Sequence, residues 1–399
     1  MSTNCFRISM LSLCLSLCVS SVAQVDSIFI RGYINNVEDK DLSFILYEPT
    51  GITGGIMRWL EGKNEGRPKE GELDFVFRFR NSGSHYFEVS HALDLPWSLM
   101  DFGFWASKGD TVKIEGDGYL NATWRVTTNS PEQREQNIYQ EACMEEIKAY
   151  QSAVWDYAKY RDWRKDAPDM NEEEWDETTA HMKSLEATKD SLGVVLKKKL
   201  IEVLKERPVG NAWVRSFVRM IHFTDNTLAD ELKELYLHKE QEVKQRPDAD
   251  LLWSMVHKSA KAKLNEACID GKMHDLDNRI YHLKDFYGKY VLLTFWSRSC
   301  GPCIDHLPEM AAFHEKHKDR LVMINLTTDE DDTWRKSSYH SQITWYNLSD
   351  GRSLYGLAKS YELKSLPYHV LISPYGIYKK NWRGSDNIFE SGELERCIQ

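Results

Sequence analysis

The 399-residue chain has no long run of basic residues, and its longest is the triplet Lys197–Lys199. It contains 61 Asp and Glu residues against 51 Lys and Arg residues, which gives a formal net charge of −10 at pH 7. Nucleic acids and anionic membrane surfaces attract proteins through clustered positive charge. The composition therefore argues against either as the main partner, and we predict no nucleic-acid partner.

An apolar run of transmembrane length is also absent. Arg7 is followed by a largely apolar stretch over residues 8–19, which is shorter than the roughly 20 residues of a transmembrane helix. Together with the small residues Ser21 and Ala23, it predicts a secretory signal peptide over residues 1–23. A lipoprotein signal is the less favoured alternative, because the bulky Leu17 precedes Cys18. Either signal predicts export to the periplasm or cell envelope.

Cysteine is scarce beyond the predicted signal. Of eight cysteines, three lie in the first 23 residues. The remaining five are Cys143, Cys268, Cys300, Cys303 and Cys397. An odd number in an exported protein leaves at least one thiol unpaired or joined to another molecule. We interpret Cys143, Cys268 and Cys397 as buried small hydrophobic residues.

Cys300 and Cys303 lie where a predicted strand gives way to a predicted helix. Residues 289–294 form an apolar, β-branched and aromatic run of strand length. Apolar residues then recur at helical spacing from Leu307 to Phe313. Because the first N–H groups of a helix lack partners and favour negative charge, we expect a lowered pKa for Cys300. Its thiolate would attack a disulfide, and Cys303 would resolve the product.

The residues around this pair leave other interpretations open. Gly301 leaves Cys300 accessible to a bulky partner, and Pro302 suits the first turn of a helix, which needs no N–H there. The pair could instead be an inert structural disulfide. Cys300, Cys303 and His306 could also contribute to a zinc site, although no fourth ligand is evident nearby. We predict neither a metal nor an organic cofactor.

Three regions of different pattern follow the predicted signal. Residues 24–130 contain alternating strand patterns and turns, which predict a small all-β domain of the sandwich type. Residues 131–266 contain helical apolar stripes that begin at a Ser130-Pro131 start signal. Residues 267–399 alternate between strand and helix patterns, which predicts an α/β domain with parallel strands and a right-handed crossover.

Residues 267–399 resemble the thioredoxin fold, and most closely the periplasmic TlpA/ResA-type thiol-disulfide oxidoreductases. The resemblance rests on residues 288–296 ending in Trp296, the Cys300-Gly301-Pro302-Cys303 motif, Pro308, Trp334 after an acidic loop, and Leu366-Pro367. It implies that Cys300 is the nucleophile and Cys303 the resolving thiol. It also implies a cis Leu366–Pro367 bond beside Cys300, which presents backbone groups to a substrate peptide and helps to keep metal away. A trans proline at a strand start is the alternative.

Two positions depart from the family pattern. Ser299 stands where many members have Trp, and His306 stands where many have Glu. The family carboxylate is associated with proton handling, and a histidine in its place could act as a base or increase the thiolate fraction. A surface histidine without such a role is the alternative. The order of a signal, a β-rich domain, helices and a redox domain also resembles exported thioredoxin-like proteins of the Bacteroidetes type.

The sequence therefore predicts an exported thiol-disulfide oxidoreductase that reduces disulfides in proteins or in small thiol compounds. Because the compartment is oxidising, a membrane-linked reductant would have to regenerate the dithiol. Two alternatives are an envelope binding or scaffold protein with a non-catalytic thioredoxin-like module, and a peroxiredoxin-type peroxide reductase. The substrate, the electron donor and the oligomeric state are not predicted.

Overall fold

The computed structural model describes residues 27–36, 44–49, 57–60, 62–64, 72–78, 84–91, 102–118, 120–165, 170–222, 227–384 and 388–399. The predicted signal peptide lies outside these residues. The described chain forms two compact units, one extending through Leu235 and one running from Tyr236 to Gln399. None of its helices combines the length and the apolar character needed to cross a membrane. The domain limits at residues 130 and 266 remain predictions.

Two β-sheets form the first part of the first unit. Their strands are β1 (Ser27–Asn35), β2 (Phe44–Pro49), β3 (Met57–Leu60), β4 (Gly62–Asn64), β5 (Glu72–Arg78), β6 (Ser84–His91), β7 (Phe102–Ser107), β8 (Thr111–Asp117) and β9 (Arg125–Thr127). The strand orders are β4-β5-β1-β8-β9 and β3-β2-β6-β7. One buried cluster takes Ile28 and Val112 from the first sheet and Phe87 and Phe104 from the second. The two sheets thus share one core, as predicted for a sandwich.

Four long or medium helices complete the described part of this unit. They are α1 (Pro131–Ala142), α2 (Met144–Lys165), α3 (Glu172–Lys205) and α4 (Asn211–His222), and α5 (Ala229–His238) follows at the boundary. Helix α1 begins as predicted, because Ser130 Oγ accepts hydrogen bonds from the backbone N–H groups of Glu132 (3.1 Å) and Gln133 (3.3 Å). Such a cap satisfies N–H groups that have no partner within the helix.

The second unit alternates between helices and strands. In chain order its remaining elements are α6 (Glu240–Val243), α7 (Ala249–Val256), β10 (Met273–His274), β11 (Ile280–Tyr281), β12 (Tyr290–Trp296), α8 (Gly301–Asp305), α9 (Leu307–His317), β13 (Leu321–Thr327), α10 (Asp331–Arg335), β14 (Tyr346–Leu348), α11 (Leu357–Ser360), β15 (Tyr368–Ile372), β16 (Tyr378–Arg383) and α12 (Glu393–Cys397). The main sheet has the order β14-β13-β12-β15-β16. Strand β12 runs parallel to β13 and antiparallel to β15.

The predicted central strand is confirmed as β12, which is buried on both faces. Val291 and Phe295 belong to one apolar cluster, whereas Leu292 and Trp296 belong to another. Successive side chains of a strand point to opposite faces of its sheet. A continuous apolar run is therefore the pattern that this position requires.

The helix predicted after the cysteines is divided in the structure. The helix after the cysteines consists of α8 and α9, separated at His306. Pro308 has no N–H and so cannot donate to the carbonyl of Ile304 four residues earlier. Further along the chain, a 3₁₀ turn at Ser353–Tyr355 precedes α11.

Candidate active site

The two cysteines of the predicted motif form a disulfide bond at the start of α8. Their sulfur atoms are 2.01 Å apart, and the backbone N–H of Cys303 donates a hydrogen bond of 3.2 Å to Cys300 Sγ. Cys300 is half-buried, whereas Cys303 is only 4% exposed. Cys300 is therefore the sulfur that an incoming molecule reaches first.

The two residues between the cysteines lie on the surface. Pro302 occupies the first turn of α8, as predicted. Gly301 is exposed, and a side-chain carbon added there would meet no atom within 4 Å. The approach to Cys300 is thus open on this side.

A buried carboxylate fixes the loop that leads into Cys300. Asp329, which follows β13, accepts hydrogen bonds from the hydroxyl of Ser297 (2.6 Å) and the backbone N–H of Arg298 (2.8 Å). The Ser297 hydroxyl oxygen in turn accepts a hydrogen bond of 3.2 Å from the N–H of Ser299. The N–H of Cys300 donates to the carbonyl of Ser297 over 3.1 Å. Every residue from 297 to 300 is therefore held, directly or through one intermediate, by Asp329.

Asp329 was not among the predicted site residues. It belongs to the acidic segment before Trp334, in which Asp329, Glu330, Asp331 and Asp332 are adjacent, so the sequence alone does not distinguish it from its neighbours. Asp329 comes two residues after the end of a strand that lies beside β12. This position in the sequence could have indicated its role, because the carboxyl ends of neighbouring parallel strands lie at one edge of a sheet, and Cys300 follows the end of β12.

The peptide bond between Leu366 and Pro367 is cis, as the resemblance implies, and the trans alternative is wrong. Pro367 is buried, and its carbonyl accepts a hydrogen bond of 2.8 Å from the N–H of Gly384. Leu366 and Cys300 pack against the same apolar cluster. The structure thus brings this dipeptide and the cysteine pair to one side of the second unit.

Trp296 lies under the motif as part of the core. It is 1% exposed and belongs to the cluster that includes Cys303 and Leu307. Its carbonyl accepts a hydrogen bond of 2.8 Å from the N–H of Thr328. Trp296 therefore supports the motif from below and joins the ends of β12 and β13.

His306 lies at the break between α8 and α9 and is half-buried. Its Nδ1 atom is buried and has no hydrogen-bond partner among the described residues. Across from α8 and α9, the sheet contributes a buried histidine, His369 of β15, which was not among the predicted site residues. The Nδ1 atom of His369 lies 2.9 Å from Thr294 Oγ1. Burial, together with the charge of His306, lowers the pKa of His369 to about 3.

The three other described cysteines are free thiols. Cys143 is buried as predicted, and burial raises its pKa to about 11. Cys268 and Cys397 are only half-buried, so the prediction that they are buried is wrong for them. Burial also raises the pKa of Cys268, whose Sγ lies 3.4 Å from the hydroxyl of Tyr287.

Among the described residues, no group of three or more His, Cys, Asp or Glu side chains could hold a metal ion.

Comparison with known proteins identifies relatives of the second unit. Residues 264–380 match the model of the AhpC/TSA family. A thiol-disulfide oxidoreductase ResA from Bacillus thuringiensis subsp. konkukian is 36% identical over 76 residues, which are 19% of this chain and 44% of the relative. The thioredoxin-like protein YneN of Bacillus subtilis is 27% identical over 112 residues, which are 27% of this chain and 64% of the relative. The match thus spans less than half of the ResA relative.

Solved structures are also similar to about a third of the chain. The thioredoxin domain of a thiol-disulfide oxidoreductase from Bacteroides vulgatus is 22% identical, with a TM-score of 0.31, and covers 35% of this chain and all (100%) of that domain. A thiol-disulfide oxidoreductase from Bacteroides fragilis is 21% identical, with a TM-score of 0.30, and covers 33% of this chain and 100% of that one. Residues 264–380 thus match the AhpC/TSA family model, and part of the second unit, which has a thioredoxin-like fold, is similar in sequence to ResA-type thiol-disulfide oxidoreductases.

Proposed function

We propose that the protein is an exported thiol-disulfide oxidoreductase that reduces disulfides in proteins or small thiol compounds of the periplasm or cell envelope. The observation that carries this proposal is the asymmetry of the cysteine pair. Cys300 is half-exposed at the start of α8, and Cys303 is buried one turn behind it. Such a pair can present one sulfur to a substrate and keep the other for the second step.

The proposed reaction begins with both cysteines reduced. The Cys300 thiolate attacks one sulfur of the substrate disulfide, and the other substrate sulfur leaves with the bonding electron pair. Cys303 then loses its proton and attacks Cys300, which forms the Cys300–Cys303 disulfide and releases the second substrate sulfur. The substrate gains two electrons, and the disulfide present in the structure is the oxidised product.

Other parts of the chain have supporting roles in this proposal. Leu366 and Pro367 contact the substrate beside Cys300, and Trp296 keeps the motif rigid. Residues 1–23 direct export, so the mature chain starts at Gln24. A membrane-linked reductant returns the pair to the dithiol form, because the compartment itself is oxidising. The β-rich domain and the helices serve for folding, docking or association.

A redox titration tests the proposed chemistry. The purified protein is equilibrated with graded thiol/disulfide buffers and alkylated, and modified cysteines are mapped by mass spectrometry. The mature chain with Cys143→Ser, Cys268→Ser and Cys397→Ser is the matched control, because it retains only the proposed pair. We expect one two-electron transition confined to Cys300 and Cys303 in both proteins.

The same preparation separates the alternatives. A pair that stays oxidised in every buffer short of denaturing reductant would contradict the proposal and favour a binding protein with an inert module. Consumption of hydrogen peroxide at Cys300 without reduction of protein disulfides would favour a peroxide reductase.

A further inference from the structure

A cavity of about 470 Å³ lies within the first unit, where its strands meet its helices. Side chains of β6, β7 and β9 form part of its wall, and side chains of α1, α2, α3 and α4 form most of the rest. Protein interiors contain few voids larger than a water molecule. Small-molecule sites, in contrast, enclose roughly 300–1,000 Å³ and are lined mostly by apolar and aromatic side chains with a few polar groups. The size of this cavity is therefore that of a ligand site.

One part of the wall is apolar and comes mainly from α2 and α3. Ile147 of α2 and Trp124, which immediately precedes β9, are buried residues that line it. Leu196 and Leu200 lie about one turn apart on α3, and both are only half-buried. A ligand that covers these leucines removes apolar surface from water, which is favourable. This part of the cavity therefore suits a hydrocarbon chain.

Two glycines leave room for aromatic rings in the wall. Gly193 lies in the interior of α3, and a side-chain carbon added there would lie 3.1 Å from the ring of Tyr150. Glycine is unfavourable in the interior of a helix, so its presence there has a packing reason. At Gly103 of β7, an added carbon would lie 2.0 Å from the hydroxyl of Tyr86. The shape of the cavity thus depends on two residues without side chains.

The amide donors of α1 that reach the wall are bound to the protein itself. Gln136 Nε2 donates a hydrogen bond of 2.9 Å to the carbonyl of Gly103. Gln140 Nε2 donates hydrogen bonds to the carbonyls of Ala122 (2.6 Å) and Trp124 (2.9 Å). These bonds hold α1 against the segments around β7 and β9. Polar recognition of a ligand therefore falls to the other helices of the wall.

The wall is cationic where α4 faces β6. Arg215 and Arg219 lie about one turn apart on α4, and both form ion pairs with Glu88. Arg219 Nη1 also donates a hydrogen bond of 3.1 Å to the hydroxyl of Tyr86. Lys197 of α3 is a third cation in the wall, and none of the described residues that line the cavity is Asp or Glu. A guanidinium carries five N–H donors in a planar fork and can bind more than one acceptor. This part of the wall favours an acidic group.

We propose that the first unit binds a fatty-acid-like carboxylate, with its hydrocarbon chain against Trp124, Leu196 and Leu200 and its carboxylate at Arg215 and Arg219. The site lies entirely within the first unit, so the inference does not depend on the proposed thiol-disulfide exchange. Burial of the chain supplies most of the affinity. The carboxylate supplies specificity, because molecules of the same shape without negative charge lack a charged acceptor for the two guanidinium groups.

Cys143 reports whether the cavity is occupied, because its free thiol lines the wall. The purified protein with its Cys300–Cys303 disulfide intact is treated with N-ethylmaleimide at increasing concentrations of tetradecanoate, and labelled cysteines are mapped by mass spectrometry. The reaction is run at mildly alkaline pH, since burial raises the pKa of Cys143 to about 11. We expect saturating tetradecanoate to slow the labelling of Cys143 by at least about tenfold.

The two free thiols of the second unit are internal controls. Labelling of Cys268 and Cys397 should not change when tetradecanoate is added. Equal slowing at all three cysteines would reveal non-specific binding and overturn the inference. An unchanged labelling rate at Cys143 would overturn it as well.

Ligands of the same chain length test the acidic group. Tetradecan-1-ol and tetradecylamine carry the same hydrocarbon chain without a carboxylate. We expect each to need at least about tenfold higher concentration than tetradecanoate for equal protection of Cys143, because a hydrogen bond to a charged group is lost. Equal or better protection by the alcohol or the amine overturns the assigned ligand class.

Matched variants locate the ligand. Leu196→Trp fills the apolar part of the cavity and should abolish protection by tetradecanoate, whereas Val195→Trp, at a neighbouring position that is 49% exposed, should not. Arg219→Gln should weaken protection by at least about tenfold, and Arg125→Gln, at an exposed position of β9, should leave it unchanged. Wild-type protection in both Leu196→Trp and Arg219→Gln would overturn the site. If Leu196→Trp does not fold, the ligand comparison with the unaltered protein decides. Protection of Cys143 without any thiol-disulfide exchange would overturn the proposed function alone.

Discussion

Oδ2 of Asp329 accepts a hydrogen bond of 2.8 Å from the backbone nitrogen of Arg298, two residues before Cys300. Asp329 is 7% exposed, and its other carboxylate oxygen, Oδ1, accepts a hydrogen bond from the hydroxyl of Ser297. The position of the proposed nucleophile thus depends on a side chain that reaches it from beyond a neighbouring strand.

We expect Asp329→Ala to destabilise the protein by about 1–3 kcal/mol, because the N–H of Arg298 and the hydroxyl of Ser297 lose their buried acceptor. The rate at which Cys300 reacts with a disulfide should fall as well. Urea unfolding and stopped-flow exchange measure the two effects. Asp332→Ala, an exposed acid in the first turn of α10, is the control, and equal behaviour of the two variants would contradict this role.

The unequal burial of the two sulfurs predicts different fates for their serine variants. Cys303→Ser should accumulate a mixed disulfide between Cys300 and the substrate, since no second sulfur can release it. Cys300→Ser should form none, because Cys303 is buried. Non-reducing electrophoresis and mass spectrometry of the adduct test this. Adducts on Cys303 would reverse the assigned roles.

The buried imidazole of His369 predicts a loss of stability in mild acid. Burial lowers its native pKa to about 3, whereas an unfolded histidine titrates near about 6.5. Below that value the unfolded state binds a proton that the native state refuses, so stability is complete above about pH 6.5 and falls as the pH falls toward 3. Between pH 7 and 5 this group should remove about 2 kcal/mol.

That loss should be smaller in His369→Leu by the same amount, as measured by urea unfolding at each pH. His238→Leu, at an exposed position of α5, is the matched control and should follow the wild type. Parallel curves for wild type and His369→Leu would show that His369 does not resist protonation.

In the first unit, a buried amide joins α2 to the segment before β9. Gln151 Nε2 donates a hydrogen bond of 2.7 Å to Asn121 Oδ1, and Gln151 Oε1 accepts a hydrogen bond of 3.1 Å from the backbone N–H of Ala122. Gln151→Leu should cost about 1–3 kcal/mol, because both groups lose a partner. The midpoint potential of the cysteine pair should stay unchanged. Gln241→Leu, at an exposed position, is the control for unfolding by urea.

Much of the site was predictable because its signals are local in the sequence. An apolar strand followed by Cys300-Gly301-Pro302-Cys303 and a helical pattern predicted the position of the disulfide. The resemblance added the cis bond at Leu366–Pro367. Strand β12 and the start of α1 follow from periodicity and capping, which involve residues within a few positions of one another.

The remaining features depend on residues that are distant in the sequence. Asp329 lies 31 residues from Arg298, and His369 lies 75 residues from Thr294. No spacing rule links such pairs, because strand order and register decide which side chains meet. The sequence by itself determined the dithiol motif, the strands with a clear apolar pattern such as β12, and the helix start at Pro131, since these follow from local propensity and periodicity. Only the tertiary structure decided that a buried carboxylate would hold the nucleophile's loop and that a histidine of β15 would be buried beside Thr294 of β12. Those contacts exist only once β12 is paired with β13 and β15.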